Sequence, residues 1–177
     1  MSSRAPRKHE HPRSAPTRLT AFAGVHGRFS LRSDAPERTE AIGRAIGGLV
    51  PRGAVISLEG GLGVGKTLLA KGICSGLGVR EEVLSPSFIL AEEYRGEMPV
   101  IHFDLYRLER LDEVSDIGLF DAVDGRNVVI IEWGDRLPEG ALALDVEIVM
   151  TITGPEEREI VIAAGNEFCA KLEEALR

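Results

Sequence analysis

Residues Gly60-Gly61-Leu62-Gly63-Val64-Gly65-Lys66-Thr67 constrain this chain more than any other stretch. They match GxxxxGK(S/T), the pattern of a phosphate-binding loop. Its glycines let the backbone turn so that several N–H groups point at one anion. Lys66 then reaches the β- and γ-phosphates, and the Thr67 hydroxyl ligates magnesium. The flanks agree. Ala54 to Glu59 reads as a strand, and Leu68 to Leu77 has helical spacing. A strand–loop–helix unit places a helix N-terminus against the phosphates. The expected ligand is ATP with Mg2+, held by Gly61, Leu62, Gly63, Val64, Gly65, Lys66, Thr67 and Leu68.

The chain has 177 residues, enough for one domain with a real core and too few for two full ones. Aromatic residues make up 5%, so stacking platforms for single-stranded nucleic acid are scarce. A net charge of −7 argues against a protein that grips DNA or RNA through a global positive field. No apolar run reaches the length of a membrane span, and no apolar signal core is evident, so a cytoplasmic protein is expected. Cys74 and Cys169 sit in apolar helical stretches without a Cys-x-x-Cys pairing and read as buried thiols.

Residues 1–24 are rich in Arg, Pro and Ser, with Arg4, Arg7, Lys8, Arg13 and Arg18 set against Glu10 alone. They read as a disordered basic tail without a defined role, ahead of a single domain over 25–177. Arg28 to Arg32 alternates like a strand, and Ser33 or Asp34 is placed to cap a helix from Ala35 to Leu49. Further strands are expected over Ala91–Tyr94, Pro99–Phe103 and Val128–Ile131, with short helical pieces between Leu111 and Val123. Asp145–Thr153 and Arg158–Ala163 read as a hairpin, followed by a helix over Glu167–Leu176. The alternation predicts a three-layer α/β fold with a mostly parallel sheet and a short antiparallel C-terminal hairpin.

Ligands in such sheets collect outside the carboxyl ends of the strands. Asp104 and Glu132 each end an apolar strand there. A phosphate-bound magnesium takes one or two protein oxygens. One of the two carboxylates suits the metal and the other the attacking water, and the sequence does not divide the roles. Ser85-Pro86-Ser87 follows the loop helix, where Ser87 either senses the γ-phosphate or metal or belongs to a plain turn. His102 reads as a structural histidine, and Trp133 as core packing.

Together these motifs carry a resemblance. Leu58 to Thr67, Ser85-Pro-Ser-Phe-Ile-Leu90, His102-Phe-Asp-Leu-Tyr-Arg-Leu108 and Ile131-Glu-Trp133 resemble, in order and separation, the TsaE (YjeE) family of ATPases in tRNA threonylcarbamoyladenosine biosynthesis. The resemblance spans about residues 28 to 163. It implies a P-loop NTPase fold and weak Mg2+-dependent ATP hydrolysis. It also implies partnership with the TsaD and TsaB proteins, and contact with tRNA only through that complex. The family's ATPase does not transfer the threonylcarbamoyl group itself; it is required for modification of tRNA adenosine 37. By position, Lys66, Thr67, Asp104 and Glu132 carry the phosphate and metal site, and Ser87 falls on the family's switch threonine. The region around Glu37 and Thr39 falls where the family contacts the base, with Arg158 approaching the nucleotide from the hairpin. Gly61 stands where the family usually has Asp, which puts that carboxylate's role in doubt.

Rival functions are less well matched. A small-molecule kinase of this fold carries an Arg-rich lid, whereas Arg107 to Arg126 is acidic in its middle. A GTPase lacks support because there is no Asn-Lys-x-Asp motif. A nucleotide-gated binding module differs from an accessory ATPase only in whether hydrolysis is required.

Overall fold

The computed structural model describes residues 27–86, 89–108 and 112–177. The expected tail over 1–24 and the candidate Ser87 lie outside the described residues. In chain order the elements are β1 (Gly27–Ser33), α1 (Pro36–Gly47), β2 (Val55–Gly60), α2 (Lys66–Gly76), β3 (Ala91–Arg95) and β4 (Pro99–Asp104). There follow α3 (Asp112–Asp116), α4 (Leu119–Ala122), β5 (Val128–Glu132), β6 (Val146–Ile152), β7 (Arg158–Ala164) and α5 (Asn166–Ala175).

The strands form one sheet in the order β1-β7-β6-β2-β5-β4-β3. Its centre, β6-β2-β5-β4, is parallel. Both flanks are antiparallel: β3 on β4 at one edge, β7 on β6 and β1 on β7 at the other. The sheet is therefore evenly mixed, and the expectation of a mostly parallel one is corrected. For two of the three antiparallel pairings the reason is loop length. Three residues join β3 to β4 and five join β6 to β7, too few for the crossover that parallel neighbours need.

Two apolar clusters lie on opposite faces of the sheet. One joins Ile56, Leu58, Val100 and Ile130 to residues of α1, α2 and α5. The other joins Val55, Phe103, Val129 and Ile131 to residues of α3 and α4. Strand side chains alternate between faces. Ile131 and Val129 face α3 and α4, so Glu132 and Ile130 face α2. By the same count Val100, His102 and Asp104 share the α2 face. This alternation gathers the polar ends of β4 and β5 beside the loop helix.

Helices α1 and α2 cross at very short range. A Cβ on Gly47 would run into the Ile73 carbonyl, and one on Gly72 into the Glu40 carbonyl. Glycines at 43, 47, 72 and 76 are what let the two backbones touch. The start of α1 differs from expectation. Pro36 occupies the first turn and Ala35 the cap position, with no side-chain cap. Proline needs no partner for an N–H it lacks, and the Ser33 hydroxyl instead donates to Ala35 O at 2.9 Å and shares a 2.7 Å bond with Thr39.

Candidate nucleotide site

The loop between β2 and α2 holds three glycines in the left-handed region: Gly60 (φ 132°), Gly63 (φ 73°) and Gly65 (φ 112°). A side chain at any of them is strained, which accounts for the spacing in the motif. The first helical bond runs from Leu69 N–H to Gly65 O at 3.0 Å. The amides of Lys66, Thr67 and Leu68 precede it and, like the first N–H groups of any helix, point out of its end. With the helix dipole they are suited to cradle an anion.

A cleft of about 280 Å³ opens over this cradle, lined by residues 62–67, Ser85, Asp104, Tyr106, Glu132 and Trp133. Lys66 is buried, and its ammonium donates to Gly60 O at 2.7 Å and Gly61 O at 3.1 Å. It also stands 3.5 Å from the centroid of the Trp133 ring. Burial pulls the Lys66 pKa below its ordinary value, opposed by the nearby Glu132, Asp135 and Asp104. Trp133 adopts φ 61°, unusual for a residue with a large side chain, and packs against Tyr106 at 5.0 Å between ring centroids. Core packing was its expected role. It does touch the apolar cluster, and it also walls the cleft.

The two carboxylates converge with Thr67. Glu132 Oε2 accepts from Thr67 Oγ1 at 3.0 Å, and its Oε1 lies 3.0 Å from His102 Nε2. Asp104 stands beside Glu132 in the sheet register. Its Oδ2 accepts from Ser85 Oγ at 2.6 Å, and its Oδ1 from the Tyr106 amide at 2.9 Å. Both carboxylates are buried, at 2% exposure each. Ser85, the other serine of the Ser-Pro-Ser stretch, is thus tied to the strand end. Among the described residues no three His, Cys, Asp or Glu side chains form a metal cage, and a phosphate-bound magnesium requires none.

The remaining candidates lie apart from this cluster. Arg158 Nε donates to Val64 O at 2.8 Å, so the hairpin braces the loop. Thr39 is buried with its hydroxyl on Ser33, and Glu37 is exposed on the first turn of α1. Neither lines the cleft. His102, expected to be structural, is fully buried against Glu132. The signal was present: in a strand, His-x-Asp puts both side chains on one face.

Comparison with known proteins places the chain among relatives. The model of the family described as "Threonylcarbamoyl adenosine biosynthesis protein TsaE" matches residues 33–160. The chain is similar to the tRNA threonylcarbamoyladenosine biosynthesis protein TsaE of Treponema pallidum, 37% identical over 74% of this chain and 97% of the relative. It is also similar to the protein of that name from Bacillus subtilis, 39% identical over 80% of this chain and 90% of the relative. Among solved structures, YdiB of Bacillus subtilis superposes with a TM-score of 0.64 at 34% identity, covering 85% of this chain and 95% of that one.

Proposed function

Because the chain belongs to the threonylcarbamoyl adenosine biosynthesis protein TsaE family, which is involved in tRNA threonylcarbamoyladenosine biosynthesis, we propose that it is the ATP-binding and ATP-hydrolysing accessory protein of that modification. Its fold is then that of a P-loop NTPase. It acts on a TsaD–TsaB assembly, meets tRNA through that assembly and does not itself transfer the threonylcarbamoyl group. The observation that supports this best is the contact of Thr67 Oγ1 with Glu132 at the mouth of the glycine loop.

The donors present fit a magnesium-bound triphosphate. Backbone amides and the Lys66 ammonium suit an anion, while a hydroxyl and two carboxylates offer only hard oxygen ligands to a cation. When bound, magnesium supplies neutralisation of charge developing on the phosphate oxygens. Thr67 and Glu132 would hold it, with Asp104 as the neighbouring carboxylate. Lys66 would leave its loop carbonyls for the phosphates, and the amides ahead of Leu69 would orient them. The bonds of Asp104 to Ser85 and to the Tyr106 amide support a role in coupling the Ser85–Ser87 stretch to the site. The side chain nearer Thr67, Glu132, is the better candidate for the metal.

The deciding experiment is repeated-turnover modification of tRNA with the TsaD and TsaB proteins, with and without this chain, in ATP or a non-hydrolysable analogue. Modification that stalls without the chain, or with the analogue, is expected. Undiminished turnover in its absence would refute the function.

A further inference from the structure

The His102 ring is fully buried, and its two nitrogens stand in opposite situations. Nε2 is 3.0 Å from Glu132 Oε1. Nδ1 is buried and has no hydrogen-bond partner among the described residues. An ionised carboxylate only accepts, so the bond requires a proton on Nε2. Buried polar groups are generally satisfied, and an orphaned one needs an explanation. Here the ring is placed for its bond to Glu132 at the expense of Nδ1.

The consequence runs along the site. A glutamate carboxyl turns in a broad, shallow torsional well. In this protein both Glu132 oxygens are held, Oε1 from β4 by His102 and Oε2 from α2 by Thr67. A Thr67 hydroxyl that donates to Glu132 keeps its lone pairs free for another partner, and Thr67 lines the cleft. We propose that His102 is a positioning residue for this site: by holding Glu132 Oε1, it turns Oε2 to the Thr67 proton and so presents the Thr67 oxygen to magnesium. His102 touches neither nucleotide nor metal. Partners behind a ligand commonly change metal affinity by about 10- to 100-fold. The inference rests on the proposed magnesium–nucleotide site and names a determinant of its metal affinity.

The test measures binding without turnover. Affinity for ADP is measured by calorimetry in EDTA and again in excess Mg2+, and Mn2+ binding to the ADP complex by electron paramagnetic resonance. His102→Leu should leave the metal-free ADP affinity unchanged and weaken Mn2+ binding about tenfold or more. His102→Gln, whose amide nitrogen reaches close to the place of Nε2, should recover most of the loss. Wild-type Mn2+ affinity in a folded His102→Leu protein would overturn the proposal, as would a Gln variant no better than Leu. Nitrogen NMR of the wild-type ring is independent of any variant's folding: a proton on Nε2 is expected, and a bare Nε2 refutes the bond. If the wild-type chain itself shows no metal-dependent nucleotide binding, the underlying site fails instead, and the two failures are thereby distinguished.

Discussion

Thr67 Oγ1 donates to Glu132 Oε2 at 3.0 Å, joining the first turn of α2 to the tip of β5. Sixty-five residues separate them in sequence. The bond exists because the parallel pairing of β2 with β5 sets Leu58 beside Glu132, and β2 leads directly into the glycine loop.

From this contact, Glu132→Gln should lower Mg2+-dependent ATP hydrolysis by about 100-fold, since a charged partner of the metal site is replaced by a neutral one. ATP affinity should fall far less. Lys66→Ala should instead abolish measurable nucleotide binding. Calorimetry and phosphate release separate the two, and normal turnover in both variants would contradict the site.

Arg158 holds the loop through Val64 O. Arg158→Ala should weaken nucleotide affinity by roughly threefold to tenfold, the net worth of about one ordinary hydrogen bond. Calorimetry on the folded variant checks this. Unchanged affinity would mean that the loop keeps its shape without the brace.

Glu59 and Glu147 form a buried carboxyl pair. Burial, then the charges of Glu147 and Asp135, push Glu59 up to about 8 from its ordinary 4.5. Ser57 bonds Glu59, and Arg28 acts on Glu147 in the opposite sense. Glu147 is itself raised by burial. Between 4.5 and about 8 the folded protein binds more protons here than the unfolded chain. The stabilising contribution is present below that window and is lost as pH rises through it. Thermal melts should show Tm falling by at least roughly 3 °C from pH 6 to pH 9, and Glu59→Gln should flatten the slope. An equal slope in the variant would place the effect elsewhere.

Gly47→Ala should lower stability by about 1–3 kcal/mol, because the new methyl meets the Ile73 carbonyl and forces α1 from α2. A urea melt measures the difference. No change would show that the helices separate at little cost.

Local patterns carried much of this protein. The glycine spacing before Lys66 is a backbone requirement that any sequence must meet with the same residue, so loop, flanking strand and helix were legible without the fold. The run Val128–Ile131 announced a strand covered on both faces. Alternation placed Asp104 and Glu132 at strand ends because period two is a local property. These signals depend on neighbours a few residues apart.

Only the tertiary structure decided what lies side by side. Strand order and direction come from loop lengths and edge pairing, so the evenly mixed sheet was not visible in the alternation of elements. The bond of His102 to Glu132 joins two strands through residues 30 apart in sequence, and no residue pattern specifies which side chains a sheet register sets together. The brace of Arg158 on Val64 arose in the same way, from the position of one hairpin beside a loop made much earlier in the chain. Sequence determines the chemistry each segment can offer; packing in three dimensions determines which offers meet.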